Sequence, residues 1–354
     1  MVLPGITQIR EAIDSELLEF TRAKAEQLNA IDSHLAPVAD ALTDFITDGG
    51  KRFRPIFAYL GYLGTGAAPS EKALRACAAL ELVHVCALIH DDVMDGSDTR
   101  RKKPALHKRF EKLHRTNGYA GESEKFGVAA AILLGDLALS WSDEMLSESG
   151  LTSADTQRAA PLFYEMRAEL MAGQYLDVLE GALASSDLDR SRKIARLKSG
   201  KYSIERPLQF GVALAGKFPE LQNLFSDYGL PLGEAFQLRD DILGVFGDSA
   251  LTGKPAGDDI REGKRTVLMA LATSKMSDTS HSILQSALGN PNLDNSQVAQ
   301  IQELVKDSGA LAECEKLIEQ LLQESLRALE HPALDTGVAN YLREMAVAAT
   351  NRKS

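Results

Sequence analysis

Along most of this chain, apolar residues recur at intervals of three and four, the period of an α-helix that buries one face. The pattern predicts helices over Ile13–Leu28, Ala73–Asp95, Phe126–Glu148, Thr156–Leu183, Arg192–Leu214 and Leu221–Phe246. No convincing run alternates apolar and polar residues, and no Asn-Gly or Asp-Gly pair joins two such runs, so strands and hairpins are not predicted. Nothing repeats at a fixed period. Breaks fall at Thr47–Pro55, in the basic stretch after Asp98, at His114–Lys125, at Ala184–Asp189, in "GDSALTGKPAGDD" and at Leu288–Ser296. Each is rich in Gly, Pro, Ser, Asp or Asn, and none is long enough to link two domains. The expected architecture is a single all-α domain over residues 1–354, a bundle of roughly ten or more helices. Pro207 sits inside a helical pattern and is expected to kink that helix rather than end it.

Composition narrows the class. With 44% hydrophobic and 25% charged residues, the chain has enough apolar material for a sizeable core. Its 50 acidic residues against 39 basic give a net charge of −11, which argues against nucleic acid as the main partner. A polyanion can still bind where divalent cations bridge it to carboxylates. Cys77, Cys86 and Cys314 are too few for a disulfide framework and suit a reducing compartment. The N-terminal stretch lacks the basic start and apolar core of a signal peptide. The most apolar segment, Val128–Trp141, is interrupted by Asp136 and is too short for a membrane span, so a cytoplasmic protein is expected.

Against this ordinary background two acidic clusters stand out. "HVCALIHDDVMDGSDTRR" carries Asp91, Asp92 and Asp95 directly after an apolar run, and "FQLRDDILGVFGD" carries Asp240 and Asp241. Asp91 and Asp95 fall on one helical face, one turn apart. Both clusters sit toward the C-terminal end of a helix, where the dipole disfavours negative charge. A solvated acidic face would account for one such cluster; two, each following apolar residues and each followed by basic ones, point to Mg²⁺ bridging carboxylates to phosphates. Lys51 and Arg54 in "GGKRFRP", Arg100 and Arg101, Lys198 in "RLKSGKYS", and Lys254 and Lys264 in "GKPAGDDIREGK" supply the complementary cations. The double glycine is not a phosphate loop, because the Gly-x-x-x-x-Gly-Lys-Ser/Thr spacing is absent.

From Thr47 to Thr266 these motifs occur in a fixed order: "GGKRFRP", "ELVHVCALIHDDVMDGSDTRRKKPALH", "LLGDLAL", "GQYLD", "RLKSGKYS", "FQLRDDILGVFGD" and "GKPAGDDIREGKRT". In this the sequence resembles the trans-isoprenyl diphosphate synthases (polyprenyl synthetase family). The resemblance implies an all-helical fold around a deep central pocket, an obligate homodimer, and Mg²⁺-dependent condensation of isopentenyl diphosphate with an allylic diphosphate. It implies that Asp91, Asp92 and Asp95 hold Mg²⁺ on the allylic diphosphate, while Asp240 and Asp241 serve a third ion from the opposite wall. Lys51, Arg54, His84 and Arg101 would bind the diphosphate of isopentenyl diphosphate, and Arg100, Lys198 and Lys254 the allylic one. Ser199 and Gln237 would line the reacting centre, with Lys264 beside the mouth. His90 reads as a supporting residue, and Tyr202 and Phe236 as packing.

Some positions depart from the family pattern. The second motif commonly ends in a third Asp, where this chain has Gly244, and the usual Lys-Thr is Lys198-Ser199. The segment from Lys112 to Lys125 is longer than the family's and is expected to be a surface loop. Product length should follow from what lies below the first cluster. Cys86 and Ala87 are small, where a Phe or Tyr would close the pocket early, and Leu82 and Val83, of moderate size, come next. The resemblance then favours geranylgeranyl diphosphate as product, with farnesyl or a longer polyprenyl diphosphate as the alternatives. A terpene cyclase would not need Lys51, Arg54 and Arg101, and a non-catalytic partner subunit would be expected to lose metal carboxylates that are present here.

Overall fold

A computed structural model describes residues 3–247 and 257–352, with only the backbone of residues 218–220. Lys254 lies outside the described residues. Helices α1 (Ile6–Ile31), α2 (Ala36–Thr47) and α3 (Phe53–Gly64) lead into α4 (Glu71–Met94), whose residues are buried almost all round. Ser70 caps α4 by accepting from the amide of Ala73, and Glu71 in the first turn complements the dipole. After α4 come α5 (Leu106–Thr116), α6 (Ser123–Ser147), α7 (Ser153–Leu183) and α8 (Leu188–Ala195). Then follow α9 (Arg206–Leu214) and α10 (Phe218–Phe246). Beyond residue 257 the chain forms α11 (Asp258–Glu262), α12 (Val267–Lys275), α13 (Asp278–Ala287), α14 (Asn295–Asp307), α15 (Ala310–Ala328) and α16 (Thr336–Thr350). The all-helical bundle anticipated from periodicity is the observed fold. Its apolar residues form two clusters that α10 links, one built on α1–α7, α9 and α16, the other on the end of α10 with α12–α15.

Three local features differ from the sequence expectation. A two-stranded antiparallel hairpin, β1 (Thr99–Arg100) and β2 (Lys103–Pro104), follows the first acidic cluster. Its turn residues, Arg101 (φ 51°) and Lys102 (φ 64°), both adopt positive φ, the primed geometry usually signalled by Asn-Gly. The chain between α8 and α9 is a π-helix, Arg196–Glu205, so Pro207 sits in the first turn of α9 rather than at a mid-helix kink. Here the backbone passes unusually close to α10: a Cβ on Gly233 would fall 2.0 Å from the Cα of Gly200. The stretch expected as a loop from Lys112 is helical as far as Thr116, and only the turn before Ser123 is irregular.

Helices α4 and α6 are long and apolar enough to cross a membrane by length and composition, because α6 extends well beyond the Val128–Trp141 run. Most of α4's apolar window, 72%, is buried within the fold, whereas only 39% of α6's is. Central position therefore accounts for the apolarity of α4. The open face of α6 calls for another explanation.

Candidate active site

Between the two apolar clusters lies a cavity of about 780 Å³, the size of a small-molecule site. Its walls come from α4, α7, the π-helix, the C-terminal half of α10, α11 and the segment after it. Of the residues singled out from sequence, Arg54, His84, Cys86, Ala87, Asp91, Arg100, Lys198, Ser199, Gln237, Asp240, Asp241 and Lys264 line it. Asp92, Asp95, Lys51 and Arg101 are not part of the lining.

Each of the five carboxylates is held by a cation or an amide. Gln174 Nε2 donates to Asp91 Oδ1 at 3.0 Å, and Arg100 Nη2 lies 3.7 Å from Asp91 Oδ2. Asp92, 1% exposed, accepts from Arg100 Nε at 2.8 Å on both oxygens. The side chain assigned to metal and the one assigned to diphosphate are thus paired with each other. Asp95, the C-cap of α4, sits 3.2 Å from Lys264 Nζ. Across the cavity Asp240 pairs with Arg352, and Gln237 Nε2 donates to Asp241 Oδ1 at 2.8 Å. Ser199 Oγ in turn donates to Gln237 Oε1, so the π-helix and α10 are joined by a polar chain that ends on an acid.

Crowding shows in the acidities. Burial pushes the Asp241 carboxyl up to about 7, with Asp259 and Asp177 adding to the rise against the bond from Gln237. Burial likewise lifts Asp95 to about 6, although Lys264 opposes it. For Lys264, burial works against the charge, but Asp259, Asp95, Glu262 and Asp91 outweigh it and hold the ammonium well above the usual lysine range. Its Nζ is 2.7 Å from Glu262, 3.2 Å from Asp95 and 3.7 Å from Asp259, so it is tied into both acidic walls.

The cations gather at one corner. Arg54 donates to Ser203 Oγ at 2.7 Å and lies 4.3 Å over the ring of Tyr202. Arg54 Nε, His84 Nδ1 and the Tyr202 hydroxyl are all shielded from solvent, and none has a protein hydrogen-bond partner. Burial and the nearby Arg54, Arg100, Arg101 and Arg52 keep the His84 imidazole neutral. Three shielded polar atoms without partners at a cationic corner suit a bound oxyanion, since leaving them unsatisfied is costly. Arg101 reaches this region from the hairpin turn, donating to the Gly49 carbonyl at 3.1 Å and lying 5.8 Å over Phe45. Lys51 is exposed as a residue, but partial burial of its ammonium, and then Arg352, lower its pKa. On the other side, Lys198 Nζ is 2.6 Å from Asp177.

Several wall residues escaped sequence reasoning. Gln174 and Asp177 were visible only as members of "GQYLD", and Arg352 carried no motif. Arg352 lies 4.6 Å over the Phe236 ring while it pairs with Asp240. Tyr202, expected as packing, also presents a shielded hydroxyl in the cavity wall. Asp98 is engaged in local structure: its carbonyl accepts from Ala105 at 2.9 Å and its carboxylate meets Lys108 at 3.4 Å. Below the acids, Cys86, Ala87 and Val83 of α4 face Leu139 of α6 and Leu170 and Met171 of α7. Leu82 points instead into the core.

A sequence model of the polyprenyl synthetases matches residues 36–305. The chain belongs to the polyprenyl synthetase family. With the family comes the enzyme class expected from the motifs, a trans-isoprenyl diphosphate synthase. The geranylfarnesyl diphosphate synthase of Aeropyrum pernix is 30% identical over 303 residues, spanning 84% of this chain and 86% of that one. The farnesyl diphosphate synthase of Geobacillus stearothermophilus is 33% identical over 288 residues, 76% of this chain and 88% of that one. Among solved structures, the geranylgeranyl pyrophosphate synthase of Corynebacterium glutamicum, complexed with isoprenyl diphosphate and magnesium, matches with a TM-score of 0.95. It is 38% identical and the match covers 99% of this chain and 100% of that one.

Proposed function

We propose that this polyprenyl synthetase condenses isopentenyl diphosphate with dimethylallyl, geranyl or farnesyl diphosphate, with Mg²⁺, and that its product is geranylgeranyl diphosphate. The observation that carries the reading is the polarity of one cavity: carboxylates and cations crowd one end, and small apolar side chains lie below them. The donor set fits Mg²⁺. Asp91, Asp92, Asp95, Asp240 and Asp241 offer hard oxygen ligands, and burial, with neighbouring carboxylates, raises the pKa of Asp95 and Asp241. Mg²⁺ keeps several waters and is completed by substrate phosphate, so a few carboxylates per ion suffice. Three ions are proposed, two on the first cluster and one on the second. When bound they neutralise the diphosphate leaving group.

The remaining chemistry belongs to the protein. Arg100 and Lys198, with Lys254 outside the described residues, would grip the allylic diphosphate. Lys51, Arg54, His84 and Arg101 would hold that of isopentenyl diphosphate, with the neutral imidazole of His84 donating a hydrogen bond. Breaking the allylic C–O bond leaves a cation, which the isopentenyl double bond attacks. Ser199 and Gln237, fixed to each other and to Asp241, line the place where this occurs. Alignment of two substrates and exclusion of water from the cation are the main tasks of the walls. The proton lost at the end is taken by the departing diphosphate.

The chain is proposed to act as one domain, since residues of both apolar clusters build the cavity. A homodimer is supported by a stripe on α7 formed by Tyr164 (58% exposed), Met171 (52%), Tyr175 (68%) and Val178 (50%), and by Leu133 (62%) on the open face of α6. Met171, Tyr175 and Val178 also line the cavity, so a second copy would help to close it. The three cysteines are free and buried, which supports a reducing compartment such as the cytoplasm. Incorporation of labelled isopentenyl diphosphate should stop on adding EDTA and return on adding excess Mg²⁺; incorporation that persists in EDTA would contradict the reading.

A further inference from the structure

The second acidic cluster has no side chain at position 244, yet a carboxylate occupies that space. A Cβ added to Gly244 would lie 1.9 Å from Oδ2, 2.3 Å from Cγ and 2.8 Å from Oδ1 of Asp259. Real Cβ atoms do not approach so closely, so any side chain at 244 must push Asp259 aside. Asp259 comes from α11, held against α10 from outside that helix, and it lines the cavity together with Asp240, Asp241 and Gly244. Lys264 spans Asp259 and Asp95, the two walls of the cavity.

We infer that Asp259 supplies the third carboxylate of the second cluster from a different segment of the chain, and that Gly244 is the gap that admits it. The divalent ion on this wall is then served by Asp240, Asp241 and Asp259. A glycine that looks like a lost ligand is the steric condition for a substitute. This rests on the metal-diphosphate reading above and assigns a residue within it.

The inference predicts a reciprocal pattern that a merely structural Asp259 would not give. Binding of Mn²⁺ in the presence of inorganic diphosphate, counted by electron paramagnetic resonance of the free ion, reads the site without turnover. Asp259→Asn should weaken one class of Mn²⁺ by at least about tenfold, and Gly244→Ala should do the same by displacing the carboxylate. Asp259→Gly should lose that ion, and the double variant Gly244→Asp/Asp259→Gly should regain it, with circular dichroism confirming the fold of each. Unchanged Mn²⁺ binding in Asp259→Asn, or a double variant no better than Asp259→Gly, would overturn the assignment while leaving the wider site reading intact. Failure of the wild-type protein to bind Mn²⁺ with diphosphate at all would overturn both.

Discussion

Asp91→Ala is expected to lower turnover by roughly a hundred- to a thousandfold while the protein stays folded. Asp91 lines the cavity at the end of α4, and its bond from Gln174 and its longer approach to Arg100 are all made at the cavity surface. Removing it takes away negative charge from a crowded site, so nothing in the core is left unpaired. Asp95, whose carboxyl Asp91 helps to raise, should ionise more easily in the variant. What is lost is a ligand for the ions that offset the leaving group's charge, and that loss is felt most at the transition state. Steady-state kinetics with a thermal melt would check both halves. Near-normal turnover in a folded variant would contradict the metal assignment. Asp92 is less suited to this test: it is buried against Arg100, and its removal would strand a partly buried charge and destabilise the fold.

Ala87→Phe is expected to shorten the product to fifteen carbons or fewer without abolishing condensation. Ala87 lies one helical turn before Asp91, and with Val83 and Cys86 it forms the α4 side of the apolar end of the cavity. A phenyl ring there would project toward Leu139, Leu170 and Met171 and occupy the space into which the chain grows. The diphosphate end, made by other side chains, is untouched, so early condensations should proceed. Radio-thin-layer chromatography of the dephosphorylated product reads the outcome. An unchanged product length would mean that the chain grows along another wall.

How far sequence reached depended on whether a residue's role was local. Helix positions followed from apolar spacing, and the two Asp clusters, with Arg54, His84, Lys198, Ser199 and Gln237, were legible because each motif places its side chains on a single helix. The hairpin at Thr99–Pro104 was not, since Arg101 and Lys102 take positive φ without the Gly or Asn that normally signals it. The π-helix was also hidden: apolar periodicity cannot tell it from an α-helix over so few residues, and it coincides with the close backbone passage of Gly200 against Gly233. Arg352 and Asp259 reach the acids only through tertiary folding, far along the chain from their partners. Gly244 misled for the same reason. Position by position it reads as a missing carboxylate, whereas in space it is filled by one.

The most direct test is to incubate the wild-type protein with isopentenyl diphosphate, Mg²⁺ and dimethylallyl, geranyl or farnesyl diphosphate in turn, and to size the product. The predicted result is a twenty-carbon product from every primer. No condensation with any primer, or a product that ends at fifteen carbons, would contradict the account.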